Sequence, residues 1–205
     1  MSEAVTFTPT EVAFVLREPV KMVKKALDEG PVQAKLIKKA GGTVRAIGWS
    51  DVLYLYAARA LRHELTTKAR NEFYDALKRV PVEQVHEVHF GRLIVPIDDL
   101  KAEIHKRARE LAELAERVEF RQDGEAVLKG TDVEVYRVAA LVGGGMTPEQ
   151  IREDYPSLTP EAVTAARAYA GAYPKAGRPY PSKTVKRAMK GAGLEALDEV
   201  LGKGR

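Results

Sequence analysis

The fold of the N-terminal part is decided by residues 7–30, FTPTEVAFVLREPVKMVKKALDEG. Thr8, Pro9 and Glu11 are typical of a helix start, with a capping hydroxyl, a proline in the first turn and a carboxylate three residues after the hydroxyl. Pro19 opens a second helix, which has an apolar side and a lysine side and ends at a glycine–proline pair. Two short helices joined by a tight turn indicate either a helix-turn-helix, whose second helix enters the major groove of DNA, or an ordinary helical hairpin with a solvated lysine face.

The residues that follow favour the DNA-binding interpretation. Short apolar runs at 35–38 and 44–47 flank a glycine-rich turn and predict a β-hairpin. A hairpin directly after a pair of helices is the wing of a winged helix, and its basic side chains would contact phosphates. On the second helix and the wing we predict the following DNA-binding set: Lys21, Lys24, Lys25, Lys35, Lys38, Lys39 and Arg45. Ser50 and Asp51 then start a further helix, whose apolar pattern continues to Leu77.

This order of elements resembles a MerR-type winged helix. The resemblance rests on residues 7–30, on the hairpin, and on the sequence IGWSDVLYLYAARAL at 47–61. It lies in the pattern of residue types and not in any single diagnostic residue. It implies a winged-helix DNA-binding domain over residues 1–80.

Residues 81–119 predict a second hairpin and a connecting helix. His86 and His89 lie in this hairpin, where residues three positions apart on a strand point to opposite faces. No third ligand and no HExxH spacing follows them, so we predict no metal site and no cofactor. The helix that begins at Asp98 is compatible with a core-facing or a dimer-facing position.

Residues 120–172 predict a second domain, built of three helices in a homeodomain-like helix-turn-helix pattern. An Asp-Gly pair is typical of a hairpin turn before it, and the glycines at 143–145 end its first helix. Thr147 begins a second helix with a capping box and a proline in the first turn, and Thr159 begins a third.

This block resembles the domain-of-unknown-function 433 family, whose members share a GTR start, a Gly-x-Thr-Pro-Glu helix start, a DYPxL turn and an alanine-rich last helix. The matching positions in this chain are 130–131, 133, 135–136, 145–149, 151, 154–156, 158–159 and 165–169. One position departs from the pattern, because Asp132 stands where relatives usually have arginine. A contact made there by arginine to a phosphate or an acidic partner would be absent or inverted in this chain.

The resemblance implies a function that composition alone would not indicate. Proteins of this family commonly sit beside PIN-domain ribonuclease toxins and resemble VapB-type antitoxins. We therefore expect an antitoxin of a type II toxin–antitoxin pair, which inhibits its PIN-domain toxin and represses its own operon by binding double-stranded operator DNA. A homodimer or a hetero-oligomer with the toxin is expected. The alternative is a stand-alone winged-helix transcriptional regulator without a toxin partner.

The tail, residues 173–205, is rich in proline and glycine and differs from the body in charge. Residues 175–205 hold eight basic and three acidic side chains, a net charge of +5, and the rest of the chain carries −1, which gives the whole chain its net charge of +4. A PIN nuclease holds Mg²⁺ with carboxylates, so basic tail residues would pair with that cluster while leucines lie in a groove of the toxin. We predict a flexible tail with this toxin-binding set: Arg178, Lys183, Lys186, Arg187, Leu194, Leu197 and Leu201. Two alternatives stay open, a solvated tail without a partner and a minor-groove contact through residues 177–179.

Composition limits the classes of function. The chain has no cysteine and four scattered histidines, which leaves no thiol, cysteine-ligated zinc or catalytic constellation, so we predict that it is not an enzyme. No apolar run is long enough to span a bilayer and the first residues lack signal-peptide features, so we expect a cytoplasmic protein without a membrane partner. The predicted fold class is mainly α with short β-hairpins: a winged helix-turn-helix, a three-helix helix-turn-helix domain and a flexible tail.

Overall fold

The computed structural model describes residues 6–39, 42–175, 177 and 180–191. Within these residues the chain is mainly helical and its strands form small antiparallel sheets, which confirms the predicted class of mainly α with short β-hairpins. The chain divides into two compact units, Met1–Glu113 and Leu114–Arg205. None of the helices described is both long and apolar enough to cross a membrane.

The N-terminal unit contains two helical pairs, two small sheets and one long helix. Its elements are β1 (Thr6–Phe7), α1 (Pro9–Leu16), α2 (Val20–Glu29), β2 (Lys35–Lys39), β3 (Gly42–Gly48), α3 (Trp49–Ala60), α4 (Thr67–Arg79), β4 (Glu87–Phe90), β5 (Leu93–Pro96) and α5 (Asp98–Glu116). The strands β1, β3 and β2 pair in that order in an antiparallel sheet, and β4 pairs with β5 in a separate hairpin. The last helix, α5, continues across the division between the units.

Local hydrogen bonds define where these helices begin and end. Thr8 Oγ1 accepts a hydrogen bond from the N–H of Glu11, and the Glu11 carboxylate accepts one from the N–H of Thr8, which confirms the predicted capping box. α1 ends at Arg17, whose φ of 51° lies in the left-handed region and turns the chain into α2. At the start of α3 the Asp51 carboxylate accepts a hydrogen bond from the N–H of Gly48.

The apolar pattern that continues to Leu77 predicts one long helix, but the structure has two. α3 ends at Ala60, and Thr66 caps α4 by accepting a hydrogen bond from the N–H of Ala69. Leu65 is buried in the connection between them. The apolar spacing therefore predicts correctly which residues are buried, although the helix is interrupted between Ala60 and Thr67.

Every helix of this unit contributes apolar side chains to its core. The side chains that are almost completely buried include Val12, Val15, Ile47, Val52, Leu53, Phe73, Leu77, Ile97 and Ile104. α2 differs from α1 and α3 in burying only Val23 and Leu27. One face of α2 packs on the core, and its opposite face is exposed to solvent.

The C-terminal unit is a small hairpin followed by three helices and a docked fourth. Its elements are β6 (Val118–Phe120), β7 (Ala126–Leu128), α6 (Val135–Gly143), α7 (Pro148–Asp154), α8 (Pro160–Ala172) and α9 (Val185–Gly191). Thr147 forms the predicted capping box with Gln150, and Thr159 caps α8 through the N–H of Ala162. The core side chains include Leu128, Val135, Val138, Leu141, Ile151, Val163, Ala166 and Tyr169. The structure thus has helices where residues 133–170 predict them.

The structure differs from the predicted flexible tail over residues 180–191. This stretch, which we call the tail segment, contains α9 and contacts α6 and α7 through several hydrogen bonds. Its backbone runs so close to Gly144 that a Cβ atom there would lie 2.3 Å from the carbonyl oxygen of Ser182. Composition predicts disorder for the tail, because it has few apolar residues to bury. In the structure the tail segment is held instead by polar contacts to residues that are distant in sequence.

Candidate nucleic-acid interface and the docked tail

The lysine side of α2 is a solvent-exposed row on an amphipathic helix. Lys21, Lys24 and Lys25 are exposed, while Val23 and Leu27 on the other side are buried. Lys25 lies 3.9 Å from the Glu29 carboxylate one turn later, and both side chains are well solvated. Within the described part of the chain, Lys21 and Lys24 have no ion-pair partner. Lys21 and Lys24 therefore offer positive charge that the described residues do not pair.

The β2–β3 hairpin lies next to α2 in sequence and is tied to it by an ion pair. The Arg45 guanidinium donates to the Asp28 carboxylate at 2.6 Å, which joins β3 to the last turn of α2. Lys35 and Lys38 are exposed on β2 and have no ion-pair partner among the described residues. Lys39 pairs with Gly42 at the end of β2, and its side chain lies outside the described part of the chain.

Arg45 lies on the predicted hairpin, and its guanidinium has a partner within the chain. The sequence predicts that Arg45 contacts a phosphate. In the structure its guanidinium forms an ion pair with Asp28. A guanidinium held by a carboxylate is less available to a phosphate, because both oxyanions use the same donors. The exposed ion pair joins the hairpin to α2, and the phosphate contact of Arg45 stays a prediction.

The turn between α1 and α2 is held by two arginines from distant helices. Arg107 on α5 donates from Nη1 to the carbonyl oxygen of Val15 at 3.0 Å. Arg59 on α3 donates to the carbonyl oxygen of Leu16 and forms an ion pair with Glu18 at 2.7 Å. The last carbonyls of a helix lack intrahelical partners, so these cations satisfy them and complement the negative end of the helix dipole.

Sequence reasoning missed both arginines as structural residues. The one available signal was Arg107, which interrupts the apolar repeat of α5 at a position that should face the core. The structure explains the interruption, because the Arg107 side chain is largely buried, is paired with Glu103 at 2.7 Å and lies over the ring of Tyr56. A charged residue on an apolar helix face can indicate a buried partner, but the partner itself cannot be read from one sequence.

A buried carboxylate joins α3 to α4. Asp51 accepts hydrogen bonds from the Tyr74 hydroxyl at 2.9 Å and from the backbone of Gly48 at 3.2 Å, and it pairs with Lys78 at 2.6 Å. Burial and the hydrogen bond to Asp51 raise the pKa of Tyr74 to about 12. The sequence predicts that Asp51 lies at the start of α3, which the bond from Gly48 confirms, but it does not indicate that the side chain is buried with three partners.

In the C-terminal unit the tail segment is anchored at its end by Arg187. Its guanidinium donates from Nε to Asp154 at 3.1 Å, and from Nη2 to Glu153 at 2.6 Å and to the carbonyl oxygen of Gln150 at 3.0 Å. The Thr184 hydroxyl donates to the same oxygen of Asp154 at 2.8 Å. The Asp154 side chain is 6% exposed and the Glu153 side chain 67% exposed, so the arginine joins one buried and one solvated carboxylate of α7.

The start of the tail segment is held by a second group of contacts. Arg137 on α6 donates to the carbonyl oxygens of Pro181 and Lys183, each at 3.1 Å. Glu125 accepts hydrogen bonds from Lys175 and from the Tyr180 hydroxyl, and these bonds lower the pKa of the Glu125 carboxyl. The segment is therefore fixed at both ends by charged side chains.

The predicted toxin-binding residues fall into three groups. Lys183 and Lys186 are exposed, and Lys186 Nζ lies 4.0 Å from Asp154. Arg187 is bound by carboxylates of its own chain, and its predicted contact with a toxin stays a prediction. The remaining members of the set lie outside the described residues: Arg178, Leu194, Leu197 and Leu201.

Asp132, which stands at the usual arginine position of the family pattern, is exposed. It lines a cavity of about 480 Å³ together with Glu134, Arg137, Tyr155 and Tyr180. Two carboxylates and one arginine therefore line this cavity. An arginine at position 132, as in the family pattern, would give it two positive charges and one negative charge instead.

The histidines of the second hairpin have nearby carboxylate partners. His86 lies 2.7 Å from Asp98, and His89 lies 2.7 Å from Glu87. Within the described ranges, no group of three or more histidine, aspartate or glutamate residues is arranged to hold a metal ion.

Comparison with known proteins identifies a domain in the C-terminal region. Residues 121–170 match the family described as "Protein of unknown function (DUF433)", so the C-terminal region contains a DUF433 domain. The chain is 29% identical over 185 residues to the uncharacterized protein y4eO of Sinorhizobium fredii, with 82% of each chain covered. The crystal structure of Rv2018 from Mycobacterium tuberculosis aligns over 78% of this chain and 95% of that one, with 13% identity and a TM-score of 0.27.

Proposed function

We propose that this chain is the antitoxin of a type II toxin–antitoxin pair, which represses its own operon through the N-terminal unit and inhibits a PIN-domain ribonuclease through the tail. The DNA-binding part is supported by one observation: the exposed lysine row of α2 is followed directly by the β2–β3 hairpin, which has exposed lysines of its own. α2 has ten residues and is about 15 Å long, a length suited to the major groove. The hairpin that follows supplies Lys35 and Lys38 to the flanking phosphates.

Three contacts that hold α2 in place support the same proposal. The Asp28–Arg45 ion pair joins the helix to the hairpin, and Arg59 and Arg107 fix the turn that precedes the helix. A DNA-reading helix needs a fixed angle to its neighbours, because phosphate contacts set the register of a protein on the duplex. These residues would act by positioning α2 and not by contacting DNA.

Promoter DNA of the chain's own gene tests this part of the proposal. Fluorescence anisotropy with the full chain should give tighter binding to that fragment than to an unrelated fragment of equal length, by about a thousandfold. Substitution of Lys21, Lys24 and Lys25 by alanine should reduce binding to both fragments. Equal affinity of the native chain for the two fragments would contradict a repressor of its own operon.

The toxin-binding part is supported by the DUF433 domain, by the resemblance to VapB-type antitoxins and by the chemistry of the tail segment. Arg187 already binds two carboxylates, Glu153 and Asp154, in its own chain. Such a guanidinium can exchange one pair of carboxylates for another, and a PIN-domain nuclease offers a carboxylate cluster that holds Mg²⁺. We propose that toxin binding transfers Arg187 from Asp154 to that cluster.

Co-expression with the product of the neighbouring reading frame tests this exchange. The native chain should form a complex that survives high salt and suppresses ribonuclease activity, and Arg187→Ala should weaken the complex. Arg167→Ala, which removes an exposed arginine from α8, is the matched control and should leave it unchanged. Equal complex stability for the two variants would show that Arg187 does not enter the toxin.

The second candidate is a winged-helix regulator without a toxin. One observation favours it: the polar groups of Arg187 and Thr184 are satisfied within the chain, so a partner is not needed to order the tail segment. The absence of any ribonuclease partner in the co-expression experiment, together with specific promoter binding, would support this candidate.

A further inference from the structure

The exposed side chains of α2 are charged, with one exception. The charged ones are Lys21, Lys24, Lys25, Asp28 and Glu29. The exception is Met22, which is 52% exposed although methionine is an apolar residue that is usually buried. Met22 is therefore the apolar side chain that α2 offers to a partner, and it lies in solvent where a partner can reach it.

The helical repeat places Met22 beside the lysine row and away from the β2–β3 hairpin. Successive side chains of a helix are about 100° apart, so Lys21 and Lys25 lie between Met22 and Asp28. Asp28 is the residue that pairs with Arg45 of the hairpin. Met22 also belongs to the first turn of α2, and the first residues of a DNA-reading helix are those that contact base edges.

Charged and apolar side chains recognise different parts of DNA. Lysine binds phosphate oxygens or the acceptors of guanine, and its phosphate contacts carry no sequence information. Among the four bases, thymine alone presents a methyl group in the major groove, and apolar side chains contact this group. The side chain of methionine is flexible and polarizable, so it can adapt its shape to such a contact.

We infer that Met22 recognises a thymine of the operator through the C5 methyl group in the major groove. The inference rests on the proposed DNA-binding function and adds to it a residue that selects a base, because the predicted DNA-binding set contains only lysines and one arginine. A contact with a second copy of the chain is the competing use of an exposed methionine, and such a contact does not depend on a thymine methyl group.

Replacement of thymidine by deoxyuridine tests the contact, because deoxyuridine lacks the C5 methyl group and forms the same base pair. Each thymidine of the promoter fragment is replaced in turn, and the affinity of the full chain is measured by fluorescence anisotropy. For the native chain, one replacement in each half-site should weaken binding about three- to fivefold, the effect of one methyl group removed from an apolar contact. Met22→Ala should bind the unmodified promoter several-fold more weakly and should show no further loss at that position.

Three further variants separate this contact from a general effect on the protein. Met22→Leu keeps an apolar side chain and should keep the sensitivity to the methyl group, whereas Met22→Gln has a similar length but a polar end and should lose it. Leu93→Ala removes a side chain that is 46% exposed on β5 in the same unit, and it should respond to deoxyuridine as the native chain does. All of these variants should unfold at nearly the native temperature, because both positions are exposed.

The outcomes distinguish this inference from the proposed function. Specific promoter binding with equal losses for the native chain and Met22→Ala at every thymine would overturn the inference and leave the proposed function standing. The inference would also be wrong if Leu36→Ala, which removes an exposed leucine of β2, abolished the methyl effect and Met22→Ala retained it. Equal affinity of the native chain for the promoter and for an unrelated fragment would contradict both.

Discussion

Arg107 Nη1 lies 3.0 Å from the carbonyl oxygen of Val15, a hydrogen bond between residues 92 positions apart. The carbonyl belongs to the last turn of α1, and the arginine belongs to the middle of α5. Through this bond, and the similar one from Arg59 to Leu16, the turn before α2 is held by residues that sequence alone assigns to other elements. The orientation of the proposed DNA-reading helix therefore depends on two arginines from other helices.

Removal of Arg107 should destabilise the N-terminal unit. Arg107→Ala leaves the Val15 carbonyl without its partner and removes the ion pair with Glu103 and the contact with the Tyr56 ring. The free energy of unfolding should fall by about 1–3 kcal/mol. Urea unfolding, monitored by the fluorescence of Trp49, measures this change, because the only tryptophan lies in this unit.

The matched control for Arg107 is its neighbour Arg109. Arg109 is exposed on the same helix, so Arg109→Ala should change the free energy of unfolding by no more than about 0.5 kcal/mol. Comparable losses in the two variants would mean that the hydrogen bond to Val15 does not stabilise the unit.

The stability of this unit should fall at alkaline pH through Tyr74. Burial and the hydrogen bond to Asp51 raise the pKa of Tyr74 to about 12, above its ordinary value of 10.0. The contribution of the neutral hydroxyl is fully present below pH 10 and is lost as the pH rises towards 12, because the unfolded chain releases this proton more readily. The free energy of unfolding, measured between pH 9 and pH 12, should therefore fall more steeply for the native chain than for Tyr74→Phe. Parallel curves would contradict the buried pair.

The packing of the tail segment on α6 can be tested at one glycine. Gly144→Ala places a Cβ atom 2.3 Å from the Ser182 carbonyl oxygen, a distance that only movement of the backbone can relieve. Trypsin should therefore cut after Lys183 and Lys186 several times faster in this variant than in the native chain. Gly143→Ala is the control, since nothing lies within 4 Å of a Cβ atom at that position, and it should leave the cleavage rate unchanged.

The local features of this chain could be predicted and the distant ones could not. The capping boxes at Thr8 and Thr147 depend on residues three positions apart, and both are present as predicted. The docking of Arg187 on Asp154 and the bond from Arg107 to Val15 join residues 33 and 92 positions apart. Nothing in a single sequence indicates which carbonyl or carboxylate such a cation will meet.

For the candidate DNA-binding set, the sequence predicts which side chains are exposed but not which of them are paired. Its lysines lie on α2 and β2 with exposed side chains wherever these are described, because the apolar spacing of α2 determines which face is buried. Arg45 has the same charge and a neighbouring position, but it is engaged by Asp28. Composition indicates positive charge, and only the structure shows which charges are already neutralised.

The dependence of promoter binding on salt tests the central claim most directly. Each phosphate contact adds about 0.9 to the slope of log affinity against log salt concentration. For the full chain, substitution of Lys21, Lys24 and Lys25 by alanine should lower that slope by about 2 to 3 units. A control variant with Lys68, Arg79 and Lys106 replaced by alanine removes the same charge from other exposed positions of the N-terminal unit and should leave the slope nearly unchanged. An unchanged slope in the first variant would contradict the account and place the DNA-binding surface elsewhere on the protein.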